Sequence, residues 1–144
     1  MRLLVATDDS SSALRAADLA ARLCQELRQA DVVLVNVGHI PTPAVEGPGP
    51  DALVDLGALA EGFERAGQAI LRRTAQAFER SSVRVTHVYR QGEPAGEILN
   101  VADENHADLI IVGSRGLGLI GGLILGSVGE RVLHGANRPV LVVR

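Results

Sequence analysis

A doubly wound α/β fold, with a five-stranded parallel sheet in the order 3-2-1-4-5 and helices on both faces, is predicted by three features of the sequence. Five short apolar runs alternate with four stretches in helical periodicity, the pattern of successive βα units with right-handed crossovers. Most of the apolar runs are nearly continuous, as strands buried on both faces require. The chain is 47% hydrophobic but only 2% aromatic, so its core is built from Ala, Val, Leu and Ile, which suits helices packed on a parallel sheet. Its 144 residues form one domain, 1–144, with a substantial core.

Arg2 to Thr7 is the first strand. Asp8-Asp-Ser-Ser-Ser12 then supplies a cluster of capping residues, and Ala13, Ala16, Ala17, Ala20, Leu23, Cys24 and Leu27 recur at helical spacing to about Gln29. Asp9 suits either a helix cap or plain solvation. Asp31 to Val37 is the second strand. Gly38 to Gly57 holds four of the six prolines and is either a mobile excursion or a partly ordered lid. A second helix starts near Asp51 or Leu59 and runs through Phe63, Ala66, Ile70, Leu71, Ala75 and Phe78 to Arg80, with its arginines on the solvated face.

Val83 to Tyr89 alternates apolar and polar residues, which predicts a half-exposed strand at a sheet edge. Pro94, in Gly92-Glu-Pro-Ala95, opens a third helix that continues to about Asn105. Ala107 to Val112 and Arg138 to Arg144 are the fourth and fifth strands. Between them, Ser127-Val-Gly-Glu130 has the spacing of a capping box, which makes Ser127 the N-cap of a helix ending near Gly135.

Composition excludes several function classes. The net charge is −3, with neither a basic stripe nor aromatic platforms, so no nucleic-acid partner is expected. All fourteen basic residues are Arg, which excludes a P-loop lysine, a Schiff-base lysine and a catalytic lysine. Cys24 is the only cysteine and reads as core filler, so an intramolecular disulfide is excluded. Gly116 to Gly129 carries no charge, but it is shorter than the ~20 apolar residues of a membrane span and contains six glycines, which makes it a loop. With no secretory layout at the start of the chain, a cytoplasmic protein without membrane contact is expected.

The chemistry gathers where Leu109-Ile-Ile-Val112 meets Gly113-x2-Gly116-x9-Gly126-Ser127. Strand, glycine loop and helix follow in that order. Glycines permit tight turns and close approach to a ligand, while the first turn of the helix offers unpaired N–H groups and a positive dipole end, so the site asks for phosphate. In a 3-2-1-4-5 sheet the winding reverses between the first and fourth strands, which brings Asp8 beside the Gly113–Gly116 turn. Asp8 is placed to bind ribose hydroxyls or a Mg²⁺ carried by polyphosphate. Arg115 either reaches phosphate or ribose, or points to water.

Other motifs fail on context. Gly116-Leu-Gly-Leu-Ile-Gly121 matches G-x-G-x-x-G, but it lies late in the chain with no acid in the required window. His39, His87, His106 and His134 lack metal-ligand spacing. Ser114 has no partner in the sequence placed to activate it.

The G-x2-G-x9-G-[ST] signature resembles that of the nucleotide-binding universal stress proteins. The resemblance extends along the chain, through Val-Ala-Thr-Asp8, Leu-Val-Asn-Val37, Gly92-Glu-Pro-Ala95, Ala-Asp-Leu-Ile-Ile-Val-Gly113 and Pro-Val-Leu-Val-Val143. It implies a single-domain ATP-binding protein in which Ala6, Thr7 and Asp8 line the adenosine and metal side and the Val37 backbone meets adenine. Val112, Gly113 and Gly116 would approach ribose and phosphates, and Gly126, Ser127 and Val128 would hold the phosphate tail. The turn after Asp8 reads Asp-Ser where the family frequently has Gly-Ser, which adds negative charge near the phosphate path. The last strand, 139–143, is an apolar edge suited to pairing with its two-fold copy, and the resemblance implies the same homodimer.

The function expected is that of a stress-response regulatory protein that binds ATP, or AMP or ADP, with Mg²⁺ and responds through Gly38–Gly57, the glycine loop or a regulatory protein partner. The alternatives are a slow ATPase or phosphotransferase, for which no catalytic residue is identified, and a nucleotide-independent interaction module.

Overall fold

The computed structural model describes residues 1–27, 29–39, 56–114 and 126–144. Its elements are β1 (Arg2–Ala6), α1 (Ser11–Glu26), β2 (Asp31–Gly38), α2 (Leu56–Ala75), β3 (Arg84–Gln91), α3 (Pro94–Glu104), β4 (Leu109–Gly113), α4 (Ser127–Gly135) and β5 (Val140–Val143). The five strands form one parallel sheet in the order β3-β2-β1-β4-β5, as the sequence predicts. One row crosses it as His87, Leu34, Val5, Ile111 and Leu141. The alternating strand β3 lies at an edge.

Because side chains alternate across a strand, each central strand feeds two cores. Leu3, Val5, Val32, Leu34 and Ile111 join Ala16, Ala17, Ala20, Leu71 and Phe78 on the face covered by α1 and α2. Leu4, Val33, Val35, Ile110 and Val112 join Ile98, Val101, Ala102 and Val132 on the face covered by α3 and α4. Cys24 is buried in the first core, where loss of solvent raises its thiol above the usual pKa, as suits a packing residue.

The alanine stripe of α1 lets that helix sit close to the sheet. A Cβ on Gly113 would lie 2.6 Å from Ala13 N and 2.6 Å from Ser12 C, so the absence of a side chain there permits the contact between the end of β4 and the start of α1.

The N-cap of α1 comes from the expected cluster Asp8–Ser12: it is Ser10, whose hydroxyl accepts from Ala13 N at 3.3 Å. Asp9 adopts φ 64°, a conformation that glycine takes freely and Asp tolerates. The N-cap of α4 is Gly126, with extended backbone and no side-chain cap bond, so Ser127 is the first helical residue and the expected capping box does not form. The Gly38–Gly57 excursion falls largely outside the described residues, and so does the nine-residue span after Gly116.

Candidate functional site at the carboxyl ends of the strands

Beyond the ends of β1, β2 and β4 lies a cleft of about 350 Å³, within the range of small-molecule sites. Ala6, Thr7, Asp8, Val37, Val112, Gly113, Gly126, Ser127 and Val128 all line it. The remaining expected residues, Arg115 and Gly116, lie outside the described residues. Ser10, Ala13, Val35, His39, Pro94, Ile98 and Gly129 complete the wall without having been anticipated as site residues. Pro94 and Ile98 are legible only as parts of a helix, and His39 only as a histidine without metal-ligand spacing. Nothing local in the sequence indicates that α3 leans over the end of β2.

The two ends of the cleft differ chemically. At one, Gly113 faces Gly126 and the first turn of α4, where the first intrahelical bond runs from Glu130 N to Gly126 O at 2.9 Å. The N–H groups of Ser127, Val128 and Gly129 precede that bond and have no intrahelical acceptor. This end presents partial positive charge and backbone donors. At the other, Val35, Val37, Pro94 and Ile98 make an apolar slot with His39 at its rim.

The wall contributed by β1 is held by polar contacts to its neighbours. Asn36 Nδ2 donates to Thr7 O at 2.8 Å, and the buried hydroxyls of Thr7 and Thr74 are 2.9 Å apart. Asp8 Oδ1 accepts from Ser10 N at 3.1 Å. Asp9 does not line the cleft: its Oδ2 pairs with Arg73 Nη1 on α2 at 2.8 Å. Its charge is thus met by a guanidinium. Among the described residues that line the cleft, Asp8 is the only carboxylate.

Glu93 caps α3, accepting from Ala95 N at 3.1 Å and Gly96 N at 2.7 Å, and it pairs with Arg131 Nη1 of α4 at 2.9 Å. These contacts connect the two helices flanking the cleft. The Gly96 N–H holds the Glu93 carboxyl below its ordinary value against the opposing effect of burial, with help from the Ala95 N–H, Arg131 and His39. A carboxyl depressed in the folded state stabilises above its unfolded pKa, and that stability is lost as the pH falls below about 4.5 and through the folded value. Glu93→Gln is therefore expected to lower the melting temperature at neutral pH and to flatten its decline below pH ~4.5, read by thermal melts across pH.

A wider depression of about 850 Å³ lies at the opposite end of the sheet, bordered by Met1, Asp31, Arg80, Ser81 and Arg84. It is larger but more open, and it faces the amino ends of β2 and β3, away from the strand ends where doubly wound sheets bind ligands. Among the described residues no group of three His, Cys, Asp or Glu side chains could hold a metal ion, and no helix is long and apolar enough to cross a membrane.

The model of the universal stress protein family matches residues 1–144. The chain belongs to that family. It is 34% identical to universal stress protein YxiE of Bacillus subtilis, over 99% of this chain and 98% of that protein. It is 36% identical to a universal stress protein of Thermus aquaticus, over 99% and 97% of the two chains. Among solved structures it resembles a universal stress protein in complex with cAMP, with a TM-score of 0.70 and 27% identity over 100% of this chain and 96% of that one. The parallel sheet in the order 3-2-1-4-5 is thus the fold of a universal stress protein.

Proposed function

We propose that the cleft binds an adenine nucleotide, with ATP as the principal ligand and AMP or ADP as further occupants, and that the protein acts as a nucleotide-responsive stress regulator. The observation that carries this reading is the pairing of two unlike ends in one cleft. Unclosed N–H groups on the first turn of α4 suit phosphate, and the apolar slot between β2 and α3 suits a base. The cAMP complex of a related universal stress protein supports the same ligand class.

In this assignment Gly113, Gly126, Ser127 and Val128 meet the phosphates, with Arg115 and Gly116 contributing from the adjoining loop. Ala6, Thr7, Asp8 and Val112 border the ribose, and Val37 borders the base. A Mg²⁺ ion fits the donor set, since one carboxylate, Asp8, is the usual protein share when phosphate oxygens and water supply the remaining ligands. The ion would neutralise phosphate charge. Asp8 alone does not amount to a hydrolytic centre, so the reading is of a binding protein rather than an efficient ATPase.

The outer edge of β5 has no neighbouring strand among the described residues, and its four residues Val140–Val143 are half-buried and apolar. Pairing with a second copy would cover that edge, and the proposed protein is a cytoplasmic homodimer through 139–143. The test of the ligand assignment is nucleotide content. Protein purified without added nucleotide is denatured, and the supernatant is separated by ion-exchange chromatography beside a Gly126→Ala control. Adenine nucleotide in the wild type and its depletion in the control are expected; two empty samples that also give no heat with Mg-ATP would overturn the assignment.

A further inference from the structure

We infer that His39 is a specificity residue of this cleft, presenting a hydrogen-bond acceptor to the exocyclic amino group of the bound base; this rests on the nucleotide reading above. His39 lines the same cleft as Val37 and Pro94, and it stands close enough to Glu93 to help hold that carboxyl ionised. A base seated against Val35, Val37, Pro94 and Ile98 would bring its edge to the imidazole.

The imidazole tautomer follows from its partner. Nδ1 lies 3.2 Å from the backbone carbonyl oxygen of Gly92. A carbonyl oxygen carries no proton, so Nδ1 must be the donor, and in the neutral ring Nε2 is left with its lone pair. The carbonyl is itself held in place: Gly92 has φ 155°, and its N–H donates to Gly38 O at 3.0 Å, locking the end of β3 against the end of β2. The strand ends thus fix the ring and keep a proton on Nδ1. An acceptor at this rim favours a base whose edge carries an amine, and it gains nothing from one that lacks it.

The experiment compares Mg-ATP with the Mg complex of purine riboside 5′-triphosphate, which differs only by loss of the 6-amino group, in wild-type protein and in His39→Phe. His39 is exposed and Phe keeps the ring bulk, so the fold should tolerate the change. Wild-type protein is expected to prefer ATP by about threefold to tenfold, the range of one net hydrogen bond. In His39→Phe the two ligands should bind equally. A preference that survives in His39→Phe would overturn the role of His39 while leaving nucleotide binding intact. Failure of both ligands to bind the wild type would overturn the nucleotide reading and this inference together.

Discussion

Replacing Ser127 with Asp is expected to abolish nucleotide binding while leaving the protein as stable as before or slightly more so. Ser127 is the first residue of α4, and it lines the phosphate end of the cleft. A carboxylate there interacts favourably with the helix dipole, by about 0.3–1 kcal/mol. The same carboxylate would stand about 4 Å from a bound phosphate, where like charges repel by about 4 kcal/mol at an effective dielectric near 20. Affinity for Mg-ATP should fall on the order of a hundredfold or more, measured by calorimetric titration, as the melting temperature holds or rises. The opposite signs separate loss of the site from loss of the fold. Ser127→Asp protein that binds ATP normally would show that phosphate does not reach this helix.

Gly113→Ala is expected to act on stability and binding together. Its new methyl would meet Ala13 N and Ser12 C at 2.6 Å and Ser12 Oγ at 2.7 Å, and the first two are backbone atoms that cannot turn aside. Either α1 lifts from the sheet or β4 shifts, at a cost on the order of 3 kcal/mol and a melting temperature about 10 °C lower. Both movements also displace a wall of the cleft, since Gly113 and Ala13 line it. Gly62 is the useful control: a Cβ there meets nothing within 4 Å, so Gly62→Ala in α2 should be neutral or stabilising. Equal melting temperatures for the two variants would contradict the close α1–β4 contact.

The order of the strands was legible because long-range rules act on simple local signals. Apolar runs such as Leu3-Leu-Val5 and Leu109-Ile-Ile-Val112 admit no helical reading at their length, and alternation in Arg84-Val-Thr-His-Val88 marks an edge. Right-handed crossovers then leave few topologies. The helix starts were less legible, since Asp8, Asp9, Ser10, Ser11 and Ser12 are all competent caps and only the backbone decides among them. The left-handed turn at Asp9 and its pairing with Arg73 depend on α2, which is 64 residues away in sequence. Similarly, the apolar part of the cleft needs Ile98 of α3 and Val37 of β2 packed in one cluster, with Pro94 lining the same cleft, and no motif encodes that arrangement. The glycine spacing points to one end of the site because backbone chemistry is local, whereas the other end exists only after folding.

The most direct measurement is a titration of ¹⁵N-labelled protein with Mg-ATP followed by amide resonances. Two depressions lie at opposite ends of the sheet, so the location of the perturbed amides identifies the site without any mutation. The proposed function predicts the largest shifts at Ser127, Val128 and Gly129, with further shifts at Val37 and Gly113, and little change from Arg80 to Arg84. Perturbations centred on Arg80 to Arg84, or none at saturating ATP, would contradict it.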